Sequence, residues 1–297
     1  MKTTTLSILT NKEQPKKVRS RRRWDQAIKL NFTRLILVIA CLLVLFPAIW
    51  LVMASFSAGT SLYSSSLIPQ KITLDNYLNL FSGIDFLMWM KNSLIICTCS
   101  STLTLFFTTT MAFAFSRFRF LGRRVGLLFL ILIQMFPAVM SIVAIFRLLQ
   151  VLHLLDSQLG LILIYGGTGI AFSTYLLKGF IDSLPKEIDE SAYIDGASHW
   201  QVFTRIILPL ASPMLAVVFL FSFIGFYQEY LIASVVLSSP NLRPIALGLR
   251  FFINGNYAQN WTGFAAASIV ASLPVMIIFF VLQRYLITGL TRGALKG

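Results

Sequence analysis

Two histidines, three cysteines and eleven carboxylates are spread over 297 residues, too sparse a set for most catalytic or metal-binding designs. His153 and His199 are isolated, in different compartments by the topology derived below, and support neither a metal site nor a catalytic triad. Cys41, Cys97 and Cys99 all fall inside apolar runs, and an odd number there is no disulfide framework. Cys97 and Cys99 lie two apart on a helix and face roughly opposite ways, which argues against a metal pair. No Gly-Lys pair occurs in the chain, so "GGTG" at 166–169 is not a phosphate loop. Small residues there let helices pack closely. Charged residues make up only 12 % of the chain, too little polar surface to cover a soluble globule.

What the chain does have is hydrocarbon. Apolar residues account for 57 % of it and the mean hydropathy is +0.78. Six apolar runs, at about 35–56, 92–116, 125–149, 159–181, 209–237 and 263–288, are each long enough to cross about 30 Å of bilayer at 1.5 Å per residue. The sequence therefore predicts an all-α polytopic membrane protein with six spans. No internal repeat is visible, and 35–288 reads as one membrane domain.

The formal charge of +14 is a topology signal. Nucleic-acid binding would interleave basic residues with aromatic platforms, whereas the aromatics here lie mostly inside the apolar runs. Ten Lys/Arg occupy residues 1–34, and the segments sharing that side of the membrane raise the count to 20, against 5 on the other. Both termini are expected in the cytoplasm. Residues 1–34 read as an uncleaved basic tail, either disordered or laying Trp24, Ala27 and Ile28 on the headgroups beside "RSRRRW". The outside segments are then 57–91, 150–158 and 238–262.

The segment 178–208 is cytoplasmic on this reading. Its local signals predict two short helices meeting at a glycine. Ser183 can cap and Pro185 suits a first turn, while Glu187, Asp189 and Glu190 favour the positive end of the dipole. Gly196 supplies a left-handed helix end, and Ser198 with Gln201 forms a capping box for a second helix that gives way to the next span at Pro209. Trp200, Phe203 and Ile207 recur at helical spacing as an apolar face, which needs either a partner or this protein's own helix ends.

Glu190, Ser191, Ala192, Asp195, Gly196, Ala197, Phe203, Ile206, Leu208, Pro209 and Pro213 resemble the EAA loop of ABC-importer permeases. Only Ser191, where the pattern has alanine, departs from it, a small change at a helix surface. The resemblance implies that the loop is a coupling helix fitting a cleft on an ATP-hydrolysing subunit. "IPQKITLDNY" (68–77), "QMFPAVMSIVAIF" (134–146), "GFAAASIVASLP" (263–274) and "GLTRGALKG" (289–297) extend it, most closely to the six-span second permease of maltose/maltodextrin importers.

That family implies a type I importer permease fold in the bacterial cytoplasmic (inner) membrane. Its implied partners are a second, related permease, two ATP-binding subunits that carry ATP and Mg, an extracytoplasmic sugar-binding protein and an oligosaccharide. No cofactor and no bond chemistry are expected in this chain. The resemblance also implies a binding-protein contact at Asn254, Gly255, Asn256 and Tyr257, where the bland alternative is a connector with an aromatic belt from Tyr257 and Trp261. It further implies a C-terminal tail, Leu295, Lys296 and Gly297, reaching the ATPases, against a frayed basic end.

Within a span, Glu229 is the residue that demands explanation, because an intramembrane carboxylate is costly. With Tyr227 and Gln228 it suits a sugar path; pairing with the partner permease or reaching the outer interface are its alternatives. An importer of another solute, such as another oligosaccharide or glycerol phosphate, is the first rival to maltodextrin. An ion-coupled secondary transporter would need several intramembrane carboxylates or broken-helix repeats.

Overall fold

The computed structural model describes residues 17–61, 69, 71–82, 84–254 and 259–294. It divides into two units, Met1–Val52 and Met53–Gly297. The first holds helix α1 (Lys17–Ser55) up to Val52, which carries part of the basic segment straight into the first apolar run and is apolar around its circumference beyond residue 34.

The second unit holds the other helices. They are α2 (Asp75–Ser82), α3 (Phe86–Arg117), α4 (Arg123–Gln134), α5 (Ile142–Val151), α6 (Gln158–Thr168), α7 (Ile170–Asp182) and α8 (Glu187–Ile194). There follow α9 (His199–Gln201), α10 (Leu208–Gln228), α11 (Leu231–Val236), α12 (Ile245–Gly248) and α13 (Trp261–Ala294). No strand occurs among the described residues, only an isolated bridge between Ser57 and Ile72.

Among the described residues, four helices are long and apolar enough to cross a membrane: Lys29–Ser55, Phe86–Arg117, His199–Gln228 and Trp261–Tyr285. The runs expected at 125–149 and 159–181 are bent pairs instead, which makes six crossings only if each pair is one span. Between α4 and α5 the chain turns by 91°. There Pro137, extended at ψ 125°, has no N–H to continue α4 and pushes its predecessor out of helical geometry. The 43° bend between α6 and α7 falls at Gly169. The run 209–237 is also interrupted, at Glu229 and Tyr230, between α10 and α11.

α3 is the hub, packed by α6, α7 and α10. In lipid no hydrophobic force draws helices together, so close contact between small residues and interhelical hydrogen bonds must do so. α3 buries Ser93, Ser100, Ser101, Thr104, Thr108 and Thr109, small residues of which Ser93, Ser100 and Thr104 bond to other segments. Thr104 Oγ1 donates to Gly166 O at 3.0 Å, and a Cβ on Gly166 would sit 2.6 Å from the Leu103 side chain. Gly166 and Gly169 thus let this end of α6 approach α3, while Gly167 faces open space. Cys97 is buried and Cys99 exposed, the opposite faces their spacing implies.

Both ends of α3 are pinned. Near its start Asn92 Nδ2 donates to the carbonyls of Asn241 (2.9 Å) and Arg243 (3.0 Å), and Ser93 Oγ accepts from Ile245 N at 2.6 Å. At its far end Ser116 Oγ donates to Asp182 Oδ1 at 2.6 Å, and Arg117 reaches Asp189 of α8. Between these anchors lie roughly 25 residues, about 38 Å of helix.

Candidate functional site: the 178–208 loop and an intramembrane cavity

The loop forms two helices meeting at a glycine. α8 opens on Glu187, Asp189 and Glu190, whose charges suit the positive helix end. Gly196 takes φ +83°, a backbone state strained for any residue with a Cβ. Ser198 then caps α9 in a full capping box with Gln201. Ser183 instead closes α7, its Oγ donating to Phe180 O, and Lys186 is the residue preceding α8. Pro185 lies outside α8, because α7 runs on to Asp182 and leaves only residues 183–186 for the turn.

Nor does the second loop helix stop at Pro209. His199–Gln228 is one continuous helix, widened to π geometry over Val202–Ile207. Pro209 offers no N–H to the carbonyl of Arg205, and the register loosens just before it, with Leu208 N–H donating back to Phe203 O.

The loop residues sort into two faces. Phe203 and Ile207 are buried and Ala192, Ala197, Ile206 and Leu208 half-buried in a cluster with Ala112, Phe113 and Leu177. Glu190, Ser191, Asp195 and Gly196 are exposed, beside Ile194 at 86 % and Trp200 at 64 %. Trp200 therefore does not share the buried face of Phe203 and Ile207; it stands in the first turn of α9 and projects beyond the cluster. His199 is not isolated: its Nδ1 lies 2.9 Å from Tyr193 Oη and its ring packs edge-on against Phe118. The outward face combines carboxylates with two large apolar side chains, a surface suited to a protein partner.

A cavity of about 650 Å³ lies between α6, α7, α10 and α11, lined by apolar groups with Thr168, Ser173, Ser222 and Glu229 as polar points. Tyr165 Oη donates to Glu229 Oε2 at 2.6 Å. The carboxylate also accepts from Ile232 N (2.8 Å) and Ala233 N (3.1 Å) at the start of α11. These bonds offset the cost of a carboxylate at this depth. Tyr227 turns the other way, into the core, and donates to Ala271 O at 2.8 Å. Gln228 is exposed and does not line this cavity.

Residues 105–292 match the family of binding-protein-dependent transport system inner membrane components. The chain belongs to this family of ABC-importer permeases. It is 40 % identical over 273 residues to the galactooligosaccharides transport system permease protein GanQ of Bacillus subtilis (strain 168), covering 91 % of this chain and 96 % of the relative. To the maltodextrin transport system permease protein MdxG of the same organism it is 37 % identical, over 89 % of this chain and 95 % of that one. To the maltose/maltodextrin transport system permease protein MalG of Escherichia coli (strain K12) it is 35 % identical, over 92 % and 98 %. Among solved structures, a chain of a bacterial ABC transporter involved in the import of alginate superposes with a TM-score of 0.77 at 25 % identity, covering 88 % of this chain and 98 % of that one.

As an inner-membrane permease component, the chain has its helices in a bacterial membrane. Of the other residues singled out in the sequence, Asn254 is exposed and its Oδ1 accepts from Arg250 Nε at 2.8 Å. Gly255, Asn256 and Tyr257, like Leu295, Lys296 and Gly297, lie outside the described residues. Two contacts of the permease were invisible in its sequence. In the sequence Arg117 stands only as one of many basic residues, and its partner Asp189 only as a favourable helix-end charge. Asp156, in left-handed backbone at φ 52°, accepts from Ser238 N and Ser239 N, each at 2.9 Å, and from Ser239 Oγ.

Proposed function

We propose that this permease serves an ATP-driven importer of neutral oligosaccharides of the maltodextrin type. Its outward loop face, Glu190, Ser191, Ile194, Asp195 and Trp200, docks on a partner ATPase, while Ala192, Ala197, Phe203, Leu208 and Pro209 join that face to the membrane helices. The observation that carries the reading is this division of one motif into an exposed face and a face buried on α3, α7 and α10. Partner ATPases closing on ATP move the loop, and the paired permeases rock between inward- and outward-facing states. Both termini are assigned to the cytoplasm and each bent helix pair to one crossing, supported by the distribution of Lys and Arg.

The cavity beside Glu229 is our candidate for part of the sugar path; Tyr227 and Gln228, expected beside Glu229 on that path, do not line it. Asn254, Gly255, Asn256 and Tyr257 are assigned to the binding protein, and Leu295, Lys296 and Gly297 to the ATPases. Galactooligosaccharides are the second reading, favoured by the 40 % identity to a permease named for them.

The test is to pull the tagged permease from its native membrane in mild detergent and assay ATPase activity with cognate binding protein and either maltotriose or a β-galactotriose. Co-purifying ATPases and a second permease, stimulated by maltotriose-loaded binding protein, support the proposal. Stimulation by the galactoside alone selects the second reading. A chain that purifies without any ATPase overturns both.

A further inference from the structure

The segment after α11, together with Tyr230 and Ser234, lines a second, open pocket of about 560 Å³, half polar in its lining and distinct from the intramembrane cavity. Two arginines face it, Arg243 and Arg250, with Tyr230, Ser238, Phe251 and Asn254 as neighbours, and no Asp or Glu is among its lining residues. Arg250 is held in place: its guanidinium donates to Tyr230 Oη, lies 5.5 Å from the centre of that ring, and gives its Nε–H to Asn254 Oδ1. The Arg243 guanidinium makes no hydrogen bond or ion pair among the described residues. Asp156, which reaches the pocket wall at Ser238, spends its oxygens on Ser238 and Ser239.

The backbone that carries these arginines is fixed from behind. Asn92 holds the carbonyls of residues 241 and 243, and Ser93 holds Ile245 N. Gly248 lies so close to Trp89 that a Cβ would come within 2.2 Å of the ring. Two guanidiniums are therefore presented on a braced segment without a carboxylate to balance them. Arg250 keeps its Nη2 edge free of the bonds to Asn254 and Tyr230, and Arg243 keeps its whole fork, so the pocket offers unspent guanidinium donors to a carboxylate, which takes paired N–H bonds from arginine.

We propose that Arg243 and Arg250 form the site that receives an acidic side chain of the extracytoplasmic binding protein. This rests on the importer reading above and on its placement of 238–262 outside the membrane. A protein carboxylate is favoured over a sugar because the pocket shares no lining residue with the intramembrane cavity, and because Arg250 and Asn254 are exposed at its rim. Docking there couples by way of Asn92 and Ser93 to α3, the helix whose other end meets the coupling loop.

The experiment uses the complete importer in nanodiscs, with ATPase activity followed as maltotriose-loaded binding protein is titrated in. Arg243→Glu with Arg250→Glu is expected to raise the half-stimulating binding-protein concentration about tenfold or more, and Arg243→Lys with Arg250→Lys to raise it far less. Rising salt should weaken the wild type and leave the Glu variant little changed. Variants are compared only as complexes that retain both ATPases, which separates misassembly from lost docking. An unchanged half-stimulating concentration in the Glu variant overturns the proposal. So does a raised KM for sugar uptake at saturating binding protein, which would assign the pocket to the sugar. A wild-type complex that no binding protein stimulates overturns the importer reading itself.

Discussion

Arg117 Nε lies 2.5 Å from Asp189 Oδ2, with only 6 % of either side chain exposed. The pair ties the end of α3 to the first turn of α8, the helix that carries Glu190 and Ser191. Its desolvation is incompletely offset, since Arg117 Nη1 and Asp189 Oδ1 have no hydrogen-bond partner. Burial accordingly pushes the Asp189 carboxyl above the usual aspartate range even though the Arg117 guanidinium pulls it down. An ion pair held at such cost is a poor source of stability and a good way to fix the position of α8.

Removing one partner leaves the other charge buried alone. Asp189→Leu or Arg117→Met is expected to destabilise the permease by about 3–5 kcal/mol, whereas the double variant recovers most of that loss. Thermal unfolding of the purified chain in detergent checks the cycle. If the pair positions α8, the double variant should still bind ATPases, yet their ATP hydrolysis should respond only weakly to binding protein. A fully coupled double variant would reduce the pair to a packing detail.

Glu229 is held by Tyr165 and by the first N–H groups of α11. Glu229→Gln keeps the shape and one acceptor oxygen, and is expected to cost about 1–3 kcal/mol because a charged acceptor is lost. Tyr165→Phe should cost less, since the two backbone donors remain. If the carboxylate serves only to cap α11, both variants import sugar at rates that follow their stability. A Glu229→Gln permease of near-normal stability with sharply reduced uptake assigns the carboxylate to the path.

Asp156 gives a pH-dependent prediction. The bond from Ser239 Oγ, then the N–H groups of Ser239 and Ser238, hold its carboxyl below the usual value of 3.8. A carboxylate lowered on folding adds stability that is present above its usual value and is lost as pH falls through the lowered one. Asp156→Asn should therefore melt below the wild type near neutrality, with the gap closing in acid below about pH 4. Thermal scans of both proteins across that range check the sign, and a gap that widens in acid contradicts it.

Much of this was legible in the sequence, and particular residues show where legibility ended. Apolar runs gave the long helices because burial in lipid demands them, and Gly196, Ser198 and Gln201 gave the loop turn because their chemistry is local. The 91° break was marked by Pro137, but a proline inside an apolar run also fits a kinked span. Arg117 with Asp189, and Asp156 with Ser239, escaped because their partners are 72 and 83 residues apart in sequence and meet only once α3 and α11 are packed. Glu229 was recognised as costly, yet its compensation depends on Tyr165, 64 residues earlier.

The two faces of the 178–208 loop should fail differently. Gly196 sits at φ +83° with nothing within 4 Å of an added Cβ, so Gly196→Ala feels only backbone strain, about 1–2 kcal/mol. Gly196→Pro cannot adopt that φ, and is expected to abolish uptake while the protein remains in the membrane. Glu190→Lys with Asp195→Lys alters only exposed side chains. It should leave the melting temperature within a degree or two while releasing the ATPases during purification. Phe203→Ala opens the buried cluster and should cost about 3–5 kcal/mol. It should loosen the loop from α3 and α7 whether or not ATPases are present. Melting and co-purification measured on the same four variants separate docking from scaffolding. Full uptake by the double lysine variant would remove the outward face from the coupling path, because reversing both charges on a docking surface cannot leave its partner indifferent.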